Sequence, residues 1–246
     1  VQQYELPPRV IVVCVVWLLL IVALETLGTA VNPSMENPVT RADVDMTWGL
    51  VLLWVMTGGG AMYLLRDRTR SALARVDLGP RTKFFLLATA LVLVEEAVTT
   101  GMTNLAPEFG VKVGQAYITA SANYLYVILL HSAVVIVPMF AAWAFLLGRY
   151  NFDQKAVMLI YGVTGLLAES VSFGLQNIQD GGLWIMVYGL MVYLPAYCVT
   201  PIAWSRRPGV KAVLLALALP LLFGAIAAIF VLVVFHPPAV EFGTGG

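Results

Sequence analysis

The chain has 246 residues, of which 60% are apolar and only 11% charged, with 14 Lys/Arg balancing 14 Asp/Glu. A soluble domain carries about 25% charged residues, so this balance, with a mean hydropathy of +0.87, excludes an ordinary water-soluble globule. Zero net charge and basic residues confined to short connecting segments give no nucleic-acid-binding surface.

About 20 apolar residues cross a hydrocarbon core, and such runs lie near 10–32, 46–65, 84–105, 121–148, 156–177, 183–204 and 211–235. These predict an all-α integral membrane protein, a multi-pass bundle of seven transmembrane helices forming one domain over 1–246. The first run has a long apolar stretch and no small-x-small cleavage site after it, so it reads as a retained span and not a signal peptide. The second contains Gly58-Gly59-Gly60, which permits close helix approach or a local break; no Lys-Ser/Thr follows, so it is no phosphate loop. The third carries the adjacent pair Glu95-Glu96. The fourth is longer than a span requires and is expected to tilt or to begin as a surface turn. The seventh has no polar residue in its interior. Cys14 and Cys198 both fall in apolar stretches and read as small core hydrophobes.

Charge sets the expected topology. Arg66, Arg68, Arg70, Arg75, Arg81, Lys83, Arg149, Lys155, Arg206, Arg207 and Lys211 fall in one alternate set of connections. The opposite set holds Arg41 and Lys112 beside Glu36, Asp43, Asp45, Glu108 and Asp180. The positive-inside rule then predicts a cytoplasmic N-terminus and a C-terminus outside. Trp48, Trp143, Trp184 and Trp204 stand toward span ends, where interfacial aromatics are expected.

A segment recurs. Glu96-Ala-Val-Thr-Thr-Gly-Met-Thr-Asn104 ends the third span and Glu169-Ser-Val-Ser-Phe-Gly-Leu-Gln-Asn177 the fifth, sharing E-x-V-x-x-G-x-x-N. Glu25 through Asn32 is a fainter copy in the first span. Pro138 and Pro195 each precede an arginine, Arg149 and Arg206, by the same interval, and His131 and Tyr188 precede those prolines by another common interval. The pattern predicts three parallel helical hairpins, 10–70, 84–150 and 156–208, plus a final helix 211–235.

Offsets of three, four and seven share a helix face. Thr99, Thr100 and Thr103 therefore line up with Glu96; Ser172, Phe173 and Gln176 with Glu169; and Gly28, Thr29 and Asn32 with Glu25. The helical rise puts Glu96 about 20 Å from Lys83, Glu169 about 21 Å from Lys155, Glu25 about 24 Å from Arg9 and His131 about 27 Å from Arg149. One outer layer is expected, opening outward as a chamber of Glu25, Glu96, Thr100, Asn104, His131, Glu169, Gln176 and Asn177. No Lys or Arg lies inside any span to neutralise it. Unpartnered carboxylates at membrane depth take up protons or bind cations.

Three functions follow as expectations. The layer binds or transports a proton, cation or small cationic solute; or a protonated Glu acts as general acid on a lipid-soluble substrate with His131 as partner; or the chain is a non-catalytic subunit of a larger membrane complex. Membrane lipid is the expected surrounding, and membrane-protein partners belong to the third reading. No lysine lies in the interior of the last helix, which excludes a retinal Schiff base. Thr100 stands where the E-E-x-x-x-R motif of CAAX-type intramembrane proteases needs arginine. No residue pattern singles out a cofactor.

Overall fold

A computed structural model describes residues 8–31, 37–202, 205–238 and 240. Asn32, Glu36 and Trp204 lie outside the described residues, as do the side chains of Phe173 and Gln176. Seven helices are long and apolar enough to cross a bilayer, the architecture of an integral multi-pass membrane protein. They are α1 (Pro8–Val31), α2 (Pro38–Ala74), α3 (Pro80–Asn104), α4 (Tyr124–Leu147), α5 (Gln154–Phe173), α6 (Gly181–Val199) and α7 (Val210–Phe235).

Several boundaries differ from the apolar pattern, each for a local reason. The second helix spans 38–74 instead of 46–65. Asn37 caps its start, the Oδ1 accepting from the Val39 N–H at 3.0 Å, and after Gly60 no Gly or Pro follows before Gly79. At about 55 Å it outruns a bilayer core of about 30 Å. Its middle, Val51–Gly58, is wound as a π-helix that leads into the glycine run. The fourth helix starts at Tyr124, where Asn123 Oδ1 accepts from the N–H groups of Leu125 and Tyr126. Before it, residues 105–123 form a separate segment, so the fourth run begins as a turn ahead of its helix. The fifth helix ends at Phe173 because Gly174 adopts φ 115°, where a side chain would be strained.

Helix α6 is the hub. Within its span window 72% of residues are buried, against 17% for α1 and for α7. It packs on α1, α2, α3 and α5, while α7 covers α4 and part of α5. Lipid tails offer no hydrophobic drive for helices to associate, so tight backbone approach has to supply the energy. Glycine makes that approach possible. A Cβ at Gly189 would sit 2.8 Å from the Met158 carbonyl oxygen, and one at Gly162 would overlap the Ile185 carbonyl oxygen. Gly182 rests on the backbone of Leu18 in α1, and Gly165 on the ring of Tyr188. The outer helices leave Val13, Leu20, Leu24, Ile226, Ile229 and Phe230 exposed, the surface that lipid solvates.

The chain has a basic end, holding the 148–153 and 200–209 connections, and an opposite, acidic end. At the basic end those connections join: Asn151 N–H donates to the Arg206 carbonyl and Arg206 N–H to the Arg149 carbonyl, each 2.8 Å. At the acidic end the 105–123 segment buries Ala106, Val111 and Ala116 against Ala42 and Met46 of α2 and Met102 of α3. Of the expected interfacial aromatics, Trp48 is half-buried and donates to Thr26 Oγ1 at 2.8 Å. Trp143 departs from the expectation: it is 0% exposed, since its face of α4 turns to the bundle interior and meets Phe152.

Gly162→Ala is expected to destabilise by about 1–3 kcal/mol, because the α5–α6 backbones must part. Gly101→Ala, with nothing within 4 Å of its Cβ, is expected to be neutral or stabilising by up to ~1 kcal/mol. Thermal unfolding in detergent measures both.

Candidate functional site

Helix α3 begins with Pro80 at its first turn and carries both its carboxylates in the half toward the acidic end. Glu95, Glu96, Thr99, Thr100 and Thr103 are each 5% exposed or less. Adjacent residues point about 100° apart on a helix, so burying both carboxylates requires protein on two sides. The fold provides this by wedging α3 between α4 and α6.

Glu96 turns toward α4, where the Ser132 hydroxyl bonds to it; the Thr99 hydroxyl reaches its Oε2 at 3.4 Å. Glu169, on α5, accepts a short hydrogen bond from the Tyr188 hydroxyl of α6. Gly165, one turn before Glu169, leaves the space that the Tyr188 ring occupies. Glu95, Glu96 and Glu169 lie within electrostatic reach of one another, and Tyr188 interacts with all three. Four helices, α3 to α6, thus converge on one point. No Lys or Arg occurs in 84–111, 113–148 or 156–205, which, apart from the first turns of α3 and α5 at the basic end, hold these helices.

The expected site residues divide into groups. Glu96 and Glu169 come together, with Thr100 one turn beyond Glu96; its Oγ1 is buried and meets no hydrogen-bond partner among the described residues. His131 closes the π-helical turn Val127–His131 at the start of α4, half-buried beside Ser132, with its Nδ1 3.5 Å from the Ser132 Oγ. Asn104 and Asn177 act on backbone. The Asn104 amide donates to the carbonyls of Thr100 (2.9 Å) and Ala122 (2.8 Å), and the Asn177 amide to those of Glu169 (3.3 Å) and Gly174 (3.2 Å). Both tie down the backbone where α3 and α5 end. Because α5 stops at Phe173, residues 175–178, Gln176 among them, form a separate 3-10 turn and do not continue the helix that carries Glu169.

Glu25 stands apart from the cluster: its electrostatic neighbour is Asp180, before the first turn of α6. Burial pushes the Asp180 carboxyl up from its ordinary value. The acidic end of α3 is covered: the 105–123 segment is tied to it by the Asn104 bond and by Ile118 N–H donating to Thr103 Oγ1 at 3.4 Å. Exposure survives on the α4–α5 side, where Glu169 and His131 are half-buried.

Sequence reasoning gave Tyr188 and Ser132 no place in the site. Tyr188 had a signal, the interval before Pro195 that it shares with His131 before Pro138. Ser132 had none beyond its position next to His131. Among the described residues no group of three His, Cys, Asp or Glu is placed to hold a metal ion. Compared with known proteins, the chain matches no family model, no curated protein and no solved structure.

Asn104→Ala removes both amide bonds, at about 1 kcal/mol each. Limited proteolysis is expected to cut within 105–123 faster in the variant than in the parent. For Asp180 the folded state favours the neutral acid. Its contribution to stability is present in full below the unfolded carboxyl pKa and is lost as pH rises through the raised folded value. Asp180→Asn should flatten that part of the stability–pH curve.

Proposed function

We propose that this chain is a membrane protein that binds and moves protons at the Glu95–Glu96–Glu169 cluster. The carrying observation is the convergence of three carboxylates from two helices at one buried point, served by hydroxyl donors and by no lysine or arginine of the surrounding helices. Like charges in a low-dielectric interior cannot all be ionised together, so such a cluster holds at least one exchangeable proton. The lack of a three-ligand metal group among the described residues favours a proton over a metal ion as the occupant.

The duplication supports the same reading. Glu96 takes a hydroxyl from α4 and Glu169 one from α6, so each Glu is served by the second helix of its own hairpin, 84–150 or 156–208. Two copies of one device then meet at a shared site, as in transporters built from parallel repeats. The charge bias of the connections orients the bundle with the basic end cytoplasmic, the N-terminus inside and the C-terminus outside.

A second reading has one observation in its favour. Glu169 and His131 are half-buried, and Leu167 and Val171 beside Glu169 are 40% and 84% exposed. A lipid-soluble substrate could reach Glu169 as general acid from that side.

Infrared spectra of the protein in lipid test the proposal. The parent is expected to show a protonated-carboxyl carbonyl band near neutral pH that weakens in Glu96→Gln and again in Glu169→Gln. A spectrum without that band, or one unchanged by both substitutions, would overturn the assignment.

A further inference from the structure

The cluster lies toward the acidic end, and no polar stripe in the sequence continues from it toward the basic end. The tertiary structure brings buried polar groups together there from separate elements. The Tyr188 ring, whose hydroxyl holds Glu169, meets the Tyr161 ring edge-on at 6.5 Å. Tyr161 is eight residues, about 12 Å, nearer the basic end than Glu169. It packs on Phe140 of α4 at 5.5 Å, and Trp143, one turn further along α4, meets Phe152 at 5.6 Å. Phe152 follows Asn151 in the basic-end connection. These contacts form a line between α4 and α5, consecutive helices that pack mainly on α7 and α6 and only slightly on each other.

Three side chains on this line are sealed from solvent: Tyr161 and Trp143 are 0% exposed and Asn151 is 1% exposed. The Tyr161 hydroxyl, the Trp143 Nε1–H and both polar atoms of the Asn151 amide meet no hydrogen-bond partner among the described residues. Buried polar groups are almost always satisfied, and several unsatisfied groups along one seam call for water. By contrast Trp54, 1% exposed, donates its Nε1–H to the Val187 carbonyl at 3.0 Å.

We infer that the α4–α5 seam is a hydrated passage carrying protons between the carboxylate cluster and the basic end, with Tyr161 as its relay. The inference rests on the proton-binding reading of the cluster. In each hop the Tyr161 oxygen accepts a proton from a water on one side and gives its own to a water on the other, and rotation of the hydroxyl restores the start. The Trp143 Nε1–H only donates, so it anchors a water; the Asn151 amide both donates and accepts.

Two measurements on the full chain in lipid vesicles test this. In the first, hydroxyl-radical footprinting should label Tyr161 and Trp143 well above Trp54, and labelling as low as that of Trp54 would show a dry seam and overturn the passage. In the second, proton flux is driven by an imposed potential and read with an internal pH dye. Tyr161→Phe, which keeps the ring, should lower the flux roughly tenfold or more, and Asn151→Leu should do the same from the basic end. Wild-type flux in Tyr161→Phe, while Glu169→Gln abolishes it, would overturn the relay and leave the cluster reading intact. No flux in the parent, with the protonated-carboxyl band present, would overturn the passage and proton movement together and leave the cluster as a proton-binding site. Absence of the band is the outcome that removes the cluster reading itself.

Discussion

Close backbone contact between α5 and α6 is the constraint on which the rest of the bundle depends. Between helices in lipid the available attraction is packing, and packing strengthens steeply as backbones approach. Gly162, Gly165 and Gly189 remove the side chains that would hold α5 and α6 apart, and Gly182 does the same for α1 against α6. With α6 at the centre, α3 is held against its far side, and the polar ends of α3 and α5 face the same interior point. The glycine beneath Tyr188 seats the ring whose hydroxyl meets Glu169. One packing solution thus sets both the architecture and the chemistry.

A cluster of carboxylates inside such a bundle carries an energetic cost that hydrophobic packing does not offset locally. Its hydroxyl partners, Ser132, Thr99 and Tyr188, donate hydrogen bonds but neutralise no charge. A neutral structural core would serve stability better, and that cost is the physical ground for the proposed protonation role. The asparagines at the ends of the repeated motif have a different task. They donate to backbone carbonyls near the ends of α3 and α5 and hold those ends in place.

The two copies of the motif also show how one pattern yields two local structures. Gly101 stays helical, and α3 continues to Asn104; Gly174 takes a positive φ, and α5 ends four residues before Asn177. Glycine permits both conformations at little steric cost. The surrounding packing makes the choice, through the 105–123 segment over α3 and the short turn leading from α5 into α6.

Length, apolarity and helical period determine a great deal of this protein without reference to its fold. The number of spanning helices, the charge asymmetry of the connections and the rarity of intramembrane carboxylates are local properties, written into consecutive residues. Glu96 and Glu169 were legible as candidates because a membrane Glu stands out from its neighbours. Their association, the separation of Glu25 toward Asp180, and the parts of Tyr188 and Ser132 were decided by tertiary structure. So was the cap over α3, which closes a face that the helical period alone left open. Tyrosine, serine and tryptophan read as ordinary packing residues until a fold shows which polar atom each one buries and what, if anything, it meets.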